Sequence, residues 1–324
     1  MCEAEVADDT YDGDPTVSRL QELAAEKTGK EAALFVASGT MGNLIGVLVS
    51  THPGQEVILG DQSHQLLWEV GGIARIANCV THPVPFHRGL LDPDEVESAI
   101  RPPAREATTT GLICVEDTSN FGGGAVIPPA HLARISDVAR RHRIAVHMDG
   151  ARFFNAVVAS GQPARAFSEN VDTLAFCLSK GLGAPFGGLL CADKERIERA
   201  ISFRQMLGGG MRQAGVMAAA GVVALETGIE RLAEDHANAK KLALGLAERF
   251  PGCCDPDIVE TNLFHVDVRS FGVTRTDLAA YLATKGILIF GGSNPRMRLS
   301  THNMISSEDI DTVLRAFDGL CAPF

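Results

Sequence analysis

The sequence predicts an α/β fold: a large domain with a mainly parallel sheet between helices, followed by a small α+β C-terminal domain. Three observations carry this. Short apolar runs at Glu56–Leu59, Leu112–Val115, Ile144–His147, Thr173–Cys177 and Gly188–Cys191 lack the alternation of a half-solvated strand, so both faces are covered. Helical patterns such as Leu132–Arg141 lie between several of them, which is the signature of parallel crossovers. After a turn-rich stretch at Pro251–Pro256 the pattern changes to strands near Leu263–Val268, Ile287–Phe290 and Arg296–Leu299, with helices near Thr276–Thr284 and Glu308–Phe317. The expected division is residues 1–250 and 251–324.

At the N-terminus, Asp14-Pro15-Thr16 opens a helix. Asp14 supplies a capping carboxylate, Pro15 needs no N–H in the first turn, and Gly29 is the expected stop. Ala32–Val36 reads as a strand. Ser38-Gly39-Thr40 is a tight turn into an apolar helix over Met41–Ser50. From Lys194 to Phe250 the pattern is helical, interrupted by Gly208-Gly209-Gly210.

The 324 residues carry a net charge of −11. The most basic stretch, Ala139-Arg140-Arg141-His142-Arg143, ends a helical pattern, where cations complement the helix dipole. It does not form the basic stripe a nucleic-acid partner requires. The eight cysteines form no C-x-x-C pair. Cys114, Cys177 and Cys191 fall in apolar strands as small hydrophobes, which fits a reducing compartment. No signal peptide or membrane-length apolar run is present, and the protein is expected to be cytoplasmic.

Three candidate features sit at the ends of predicted strands, where open α/β sheets place ligands. Ser38-Gly39-Thr40-Met41-Gly42-Asn43 offers backbone N–H groups at a helix N-terminus, suited to a phosphate or simply to a helix cap. His147-Met148-Asp149-Gly150-Ala151-Arg152 places a carboxylate and a guanidinium just past a strand. Asp149 could cap the next helix or keep a ring nitrogen protonated. Leu178-Ser179-Lys180-Gly181-Leu182-Gly183 sets a lysine between an apolar strand and a Gly-rich loop. Partial desolvation there favours a Schiff-base lysine, whereas the lysine alone reads as a surface residue. Together the three supply a phosphate site, a pyridinium partner and a Schiff-base lysine for pyridoxal 5′-phosphate (PLP).

The stretches ADDTYDGDPTV, EAALFVASGTMGNL, GDQSH, HMDGARFFNA, FCLSKGLGAP, MLGGGMRQAG and RLSTH run in order from Ala7 to His302. In them the sequence resembles the L-threonine aldolases of the β-eliminating lyase family, within the aspartate-aminotransferase-like PLP superfamily. The resemblance implies that Lys180 holds PLP, Asp149 pairs with its ring nitrogen and His64 stacks on its ring. It implies that Gly39, Thr40 and Ser179 hold the phosphate, and that Arg212 reaches a phosphate in a neighbouring subunit of a homotetramer. Arg152 and Arg298 would hold the substrate carboxylate and Tyr11 would line the pocket mouth. The implied reaction cleaves the Cα–Cβ bond of an L-β-hydroxy-α-amino acid to glycine and an aldehyde. The implied partners are a small amino-acid substrate and other copies of this chain, with no nucleic acid, membrane or metal.

Two departures bear on the site. The family's N-terminal segment with a Ser-Asp-Thr motif has no counterpart in a sequence that begins Met1-Cys2-Glu3. Either the start lies upstream or the site lacks that serine's contact. Where the family reads Glu-Asn-Thr-His-Asn, this chain reads Glu116-Asp117-Thr118-Ser119-Asn120. Ser119 is therefore expected beside the substrate hydroxyl, leaving room for a bulkier, β-aryl side chain. The same constellation would also serve another PLP-dependent lyase or racemase, or a weakly active PLP-binding homologue.

Overall fold

In the computed structural model, which describes residues 1–11 and 13–320, a seven-stranded sheet organises the first part of the chain. Its strands are β1 (Ala32–Val36), β2 (Glu56–Gly60), β3 (Val80–Val84), β6 (Thr110–Glu116), β7 (Ala145–Asp149), β8 (Thr173–Cys177) and β9 (Gly188–Ala192). A two-residue hairpin, β4 (Phe86–His87) with β5 (Leu90–Leu91), lies between β3 and β6. The spatial order is β1-β9-β8-β7-β6-β2-β3. The pairs β2–β3, β2–β6, β6–β7 and β7–β8 are parallel. Only β9 runs against its neighbours, pairing antiparallel with β8 and with β1. Within this sheet β2, β8 and β9 are buried throughout, as their unbroken apolar runs require.

Helices cover both faces. The first three are α1 (Pro15–Thr28), α2 (Gly39–Ser50) and the single turn α3 (His64–Leu67). Next come α4 (Gly72–Arg75), α5 (Pro93–Ala99), α6 (Pro129–His142), α7 (Phe153–Ser160), α8 (Ala164–Ser168) and α9 (Lys194–Met206). The 35-residue α10 (Gly215–Arg249) then leads to α11 (Arg275–Ala283) and α12 (Ser307–Asp318). Asp14 caps α1 by accepting the Thr16 and Val17 N–H groups, and its other oxygen accepts those of Ala7 and Gly215. One buried carboxylate thus ties the N-terminal segment, α1 and the start of α10 together. Gly29 closes α1 in the left-handed conformation. The glycine-rich break falls between α9 and α10.

The C-terminal part is a two-stranded antiparallel sheet, β10 (Leu263–Asp267) and β11 (Arg296–Ser300), with α11 and α12. Its core joins Phe264, Val266, Leu278, Leu282, Phe271 and Phe317 to Ala239, Leu242, Ala243 and Leu246 of α10. The strand expected at Ile287–Phe290 is absent: that segment is irregular, with Leu288 and Phe290 exposed. Its continuous apolar run is not hydrogen-bonded into either strand of the small sheet.

The seven cysteines among the described residues are unpaired, and Cys321 lies outside them. Among the described residues, no helix is long and apolar enough to cross a membrane.

Candidate active site

The candidate residues converge at the carboxyl ends of the sheet strands. β1 leads into the Ser38–Thr40 turn, β2 into Asp61–His64, β6 into Asn120, β7 ends on Asp149, and Lys180 follows β8. Parallel neighbours deliver their C-terminal residues to one edge, so residues far apart in sequence become adjacent.

Ser38 caps α2, its Oγ accepting the Met41 N–H. The first N–H groups of the helix have no partner within it and face the turn. Gly39 is required there: a Cβ would stand 2.4 Å from the Cys177 Sγ at the end of β8. Cys177 in turn lies within hydrogen-bonding range of the Lys180 amine. Glycine therefore lets the turn approach the lysine-bearing strand closely.

Asp149 is buried, and its Oδ1 accepts the Ala151 N–H. Its carboxylate, the His64 imidazole and the Glu69 carboxylate present atoms all within 4.8 Å of one another. The His64 Nδ1 lies 3.0 Å from Glu69 Oε1, and its backbone N–H donates to Glu116 Oε2 at 2.6 Å. The hydrogen bond to Glu69 raises the His64 pKa against the opposing pull of burial; Asp149 raises it further and Lys180 lowers it.

Glu116 holds a second loop with its other oxygen, Oε1, which accepts the Asn120 N–H at 2.7 Å. Desolvation, then the charge of Asp149, pushes the Glu116 carboxyl up to about 7. Asn120 Oδ1 accepts from Arg298 Nη1 at 2.7 Å. Trp68, one residue before Glu69, stacks on Phe121 with ring centroids 6.3 Å apart, joining the same two loops.

Arg152 lies within reach of the Arg298 charge. Burial and then the neighbouring Arg298 charge lower the Arg152 pKa, and the buried Arg152 Nε has no hydrogen-bond partner. A buried guanidinium with an unsatisfied donor, under the influence of a second positive charge, suits a carboxylate.

Ser119 is placed differently from the expectation. It is 1 % exposed, and its Oγ accepts the Gly122 N–H at 3.1 Å. Cβ atoms added at Gly89 and Gly122 would come within 2.4 Å of its Cβ and 2.8 Å of its Oγ. The side chain packs in a tight turn between Gly89 and Gly122.

Arg212 and Tyr11 pair with each other at the surface. The Arg212 guanidinium lies 5.4 Å from the Tyr11 ring centroid and 3.1 Å from Asp8 Oδ2, and Tyr11 is 73 % exposed. A cleft walled by Thr51, His52, Arg140, Arg143 and Arg196 contains none of these candidate groups.

The model of the beta-eliminating lyase family matches residues 1–270. The chain is 41% identical to low-specificity L-threonine aldolase 1 of Arabidopsis thaliana, over 98% of this chain and 90% of that one. The chain belongs to the beta-eliminating lyase family. Another relative is the low specificity L-threonine aldolase of Escherichia coli K12, 40% identical over 97% of this chain and 91% of that one. A Leishmania major threonine aldolase structure superimposes with a TM-score of 0.78 at 19% identity, covering 95% of this chain and 90% of that chain. It shares the fold, as does a Sphingomonas wittichii serine palmitoyltransferase at TM-score 0.73 and 17% identity, covering 94% and 76%. As a member of the beta-eliminating lyase family the chain is a PLP-dependent lyase. The donor set fits that cofactor: a glycine cradle at a helix N-terminus, a lysine amine beside it, and a buried carboxylate opposite.

Glu69, Asn43, His147, Glu116 and Asn120 belong to the site and were given no role by the sequence. Asn43, His147, Glu116 and Asn120 lie inside the motifs that drew attention. Glu69 carries no signal: it is an acid in an ordinary loop until the fold sets it against His64.

Proposed function

We propose that this chain cleaves the Cα–Cβ bond of L-threonine and related L-β-hydroxy-α-amino acids, giving glycine and an aldehyde. The observation that carries the reading is the Arg152–Arg298 pair beside the Lys180, Asp149 and His64 cluster, which sets a carboxylate anchor next to a cofactor-type lysine. The names of the relatives in Arabidopsis thaliana and Escherichia coli support the substrate class.

Bound PLP supplies an electron sink for the pair left when the Cα–Cβ bond breaks. Lys180 would hold it, Gly39, Thr40 and Ser179 would bind its phosphate, and Asp149 would keep its ring nitrogen protonated. Arg152 and Arg298 hold the substrate carboxylate as a planar fork, so the substrate can turn about that anchor only slightly. Asn120 braces Arg298 from the side. The β-hydroxyl must lose its proton as the aldehyde forms, and His64 is the group suited to take it, its basicity raised by the hydrogen bond to Glu69. Lys180 and His64 are then the groups near enough to return a proton at Cα.

The reading extends to a cytoplasmic homotetramer with shared sites. It is supported by Arg212, which is exposed and held ready by Asp8 and Tyr11, and by exposed apolar residues on the His64 loop: Leu67, Trp68 and Val70.

The site assignment is tested by borohydride reduction of the holoenzyme followed by peptide mapping. The reading predicts one labelled peptide, containing Lys180. A label on another lysine overturns it.

A further inference from the structure

Behind His64 lies a continuous line of buried polar side chains that the chemistry described above does not use. Glu69 Oε1, which faces His64 Nδ1, also accepts from Asn43 Nδ2 at 2.8 Å. Asn43 Oδ1 lies 3.2 Å from His147 Nε2, and His147 Nδ1 lies 2.8 Å from Thr173 Oγ1. Glu69, Asn43, His147 and Thr173 are all buried. Gly46, one turn along α2 from Asn43, makes the room: a Cβ there would stand 2.5 Å from the His147 ring.

The direction of every proton in this line is fixed by what each atom can do. An ionised carboxylate only accepts, so the Asn43 amide turns its NH2 to Glu69 and its oxygen to His147. That oxygen only accepts, so His147 carries its hydrogen on Nε2 and takes the Thr173 hydroxyl hydrogen at Nδ1. Burial holds His147 at a pKa of about 4, so the ring is neutral and has one hydrogen to place. At the other end, burial raises the Glu69 carboxyl while the hydrogen bonds from His64 and Asn43 hold it down, and with Glu69 ionised the hydrogen that bridges it to His64 sits on His64 Nδ1.

We propose that Glu69, held from behind by Asn43, His147 and Thr173, is a positioning residue that fixes His64 with its Nδ1 hydrogen inward and its Nε2 lone pair free for the ligand. A histidine whose free nitrogen carried the hydrogen could not accept one from a hydroxyl. The line also ties together three elements that bear ligand-facing groups: α2 behind the phosphate turn, β7 ending on Asp149, and the His64 loop. His147 and Asp149 are two residues apart on β7 and so share a face of the sheet.

The proposal rests on the reading of His64 as a group that faces the ligand. It is tested by a measurement independent of turnover, so the two can fail separately. The exchange of the His64 ring C2 hydrogen for deuterium, followed against pH by mass spectrometry of the holoenzyme, reports that ring's own titration. Asp149 and Lys180 face the same ring and Glu116 holds its backbone N–H, so all three stay unchanged in the variants. Glu69→Gln keeps the volume and one acceptor but removes the charge. Asn43→Ala removes one of the two side-chain hydrogen bonds that oppose the upward pull of burial on the Glu69 carboxyl. Both are expected to lower the His64 midpoint, Glu69→Gln by at least about one pH unit. In Glu69→Gln, kcat is expected to fall at least about tenfold, with its acidic limb shifted the same way and KM within about twofold. A His64 midpoint unchanged in Glu69→Gln overturns the role of Glu69. A midpoint unchanged in Asn43→Ala overturns the line behind it. Either variant decides if the other fails to fold.

Discussion

At the scale of single residues, the difference between Ser119 and its expected role is one of packing. The sequence places a small residue where the family has histidine, and a small residue suggests space. The fold spends that space on Gly89 and Gly122, which press against the Ser119 side chain. Ser119→His is therefore expected to overpack a buried turn and to cost about 1–3 kcal/mol in stability, read as a lowered thermal midpoint. An unchanged midpoint, with altered preference between L-threonine and L-phenylserine, would return position 119 to the substrate. Glu116 gives a second residue-scale prediction. Its carboxyl sits at about 7 in the folded protein against about 4.3 when unfolded. The folded state thus binds more protons than the unfolded state between those values, and stability must fall as pH rises through that window. Below about 4.3 both states are protonated and the effect vanishes. Glu116→Gln removes the titration. The stability of the natural protein relative to this variant is expected to drop by on the order of 3 kcal/mol from pH 4.5 to 7.5 in denaturant titrations at fixed protein concentration. A relative stability flat across that range would show that Glu116 does not titrate there.

At the scale of elements, the α2 turn carries the clearest test. Gly39→Ala drives a methyl toward the Cys177 sulfur at 2.4 Å, so the turn or the end of β8 must move. Affinity for PLP, titrated into the apoprotein, is expected to fall at least about tenfold, roughly 1.4 kcal/mol. Cys177→Ala alone should change it little, and the double variant should recover part of the loss. Equal loss in Gly39→Ala with and without Cys177 would place the cause elsewhere. The same element shows what sequence can convey. The Asp14 cap, the β1 strand, the Ser38 turn and the α10 helix follow from local rules of capping, apolar runs and periodicity, and each was legible. The antiparallel sense of β9 was not, because a buried strand reads alike in either direction. The Ile287–Phe290 segment misled for the opposite reason: it has strand-like residues but no neighbouring edge. Lys180, Asp149, Arg152 and Arg298 stand in motifs that can be read from the chain, whereas Glu69 becomes visible only when the fold sets it against His64.

At the scale of the whole molecule, we propose the division at residues 250 and 251 as a change of core rather than a clean cut. The C-terminal core takes Ala239, Leu242, Ala243 and Leu246 from α10. A fragment of residues 251–324 is expected to be unfolded by circular dichroism, since it lacks one wall of its core, and a fragment of residues 235–324 to regain helix. Cooperative unfolding of the shorter fragment would contradict the shared wall. The central claim, a PLP-dependent aldolase built on Lys180, is met most directly by one measurement. Purified holoenzyme is given L-threonine, and glycine and acetaldehyde are quantified together in the natural protein and in Lys180→Ala. The account predicts equimolar glycine and acetaldehyde from the natural protein, and a rate lower by at least about a thousandfold in the variant, roughly 4 kcal/mol of transition-state stabilisation. Glycine without aldehyde, no cleavage at all, or a variant that keeps the natural rate would contradict it.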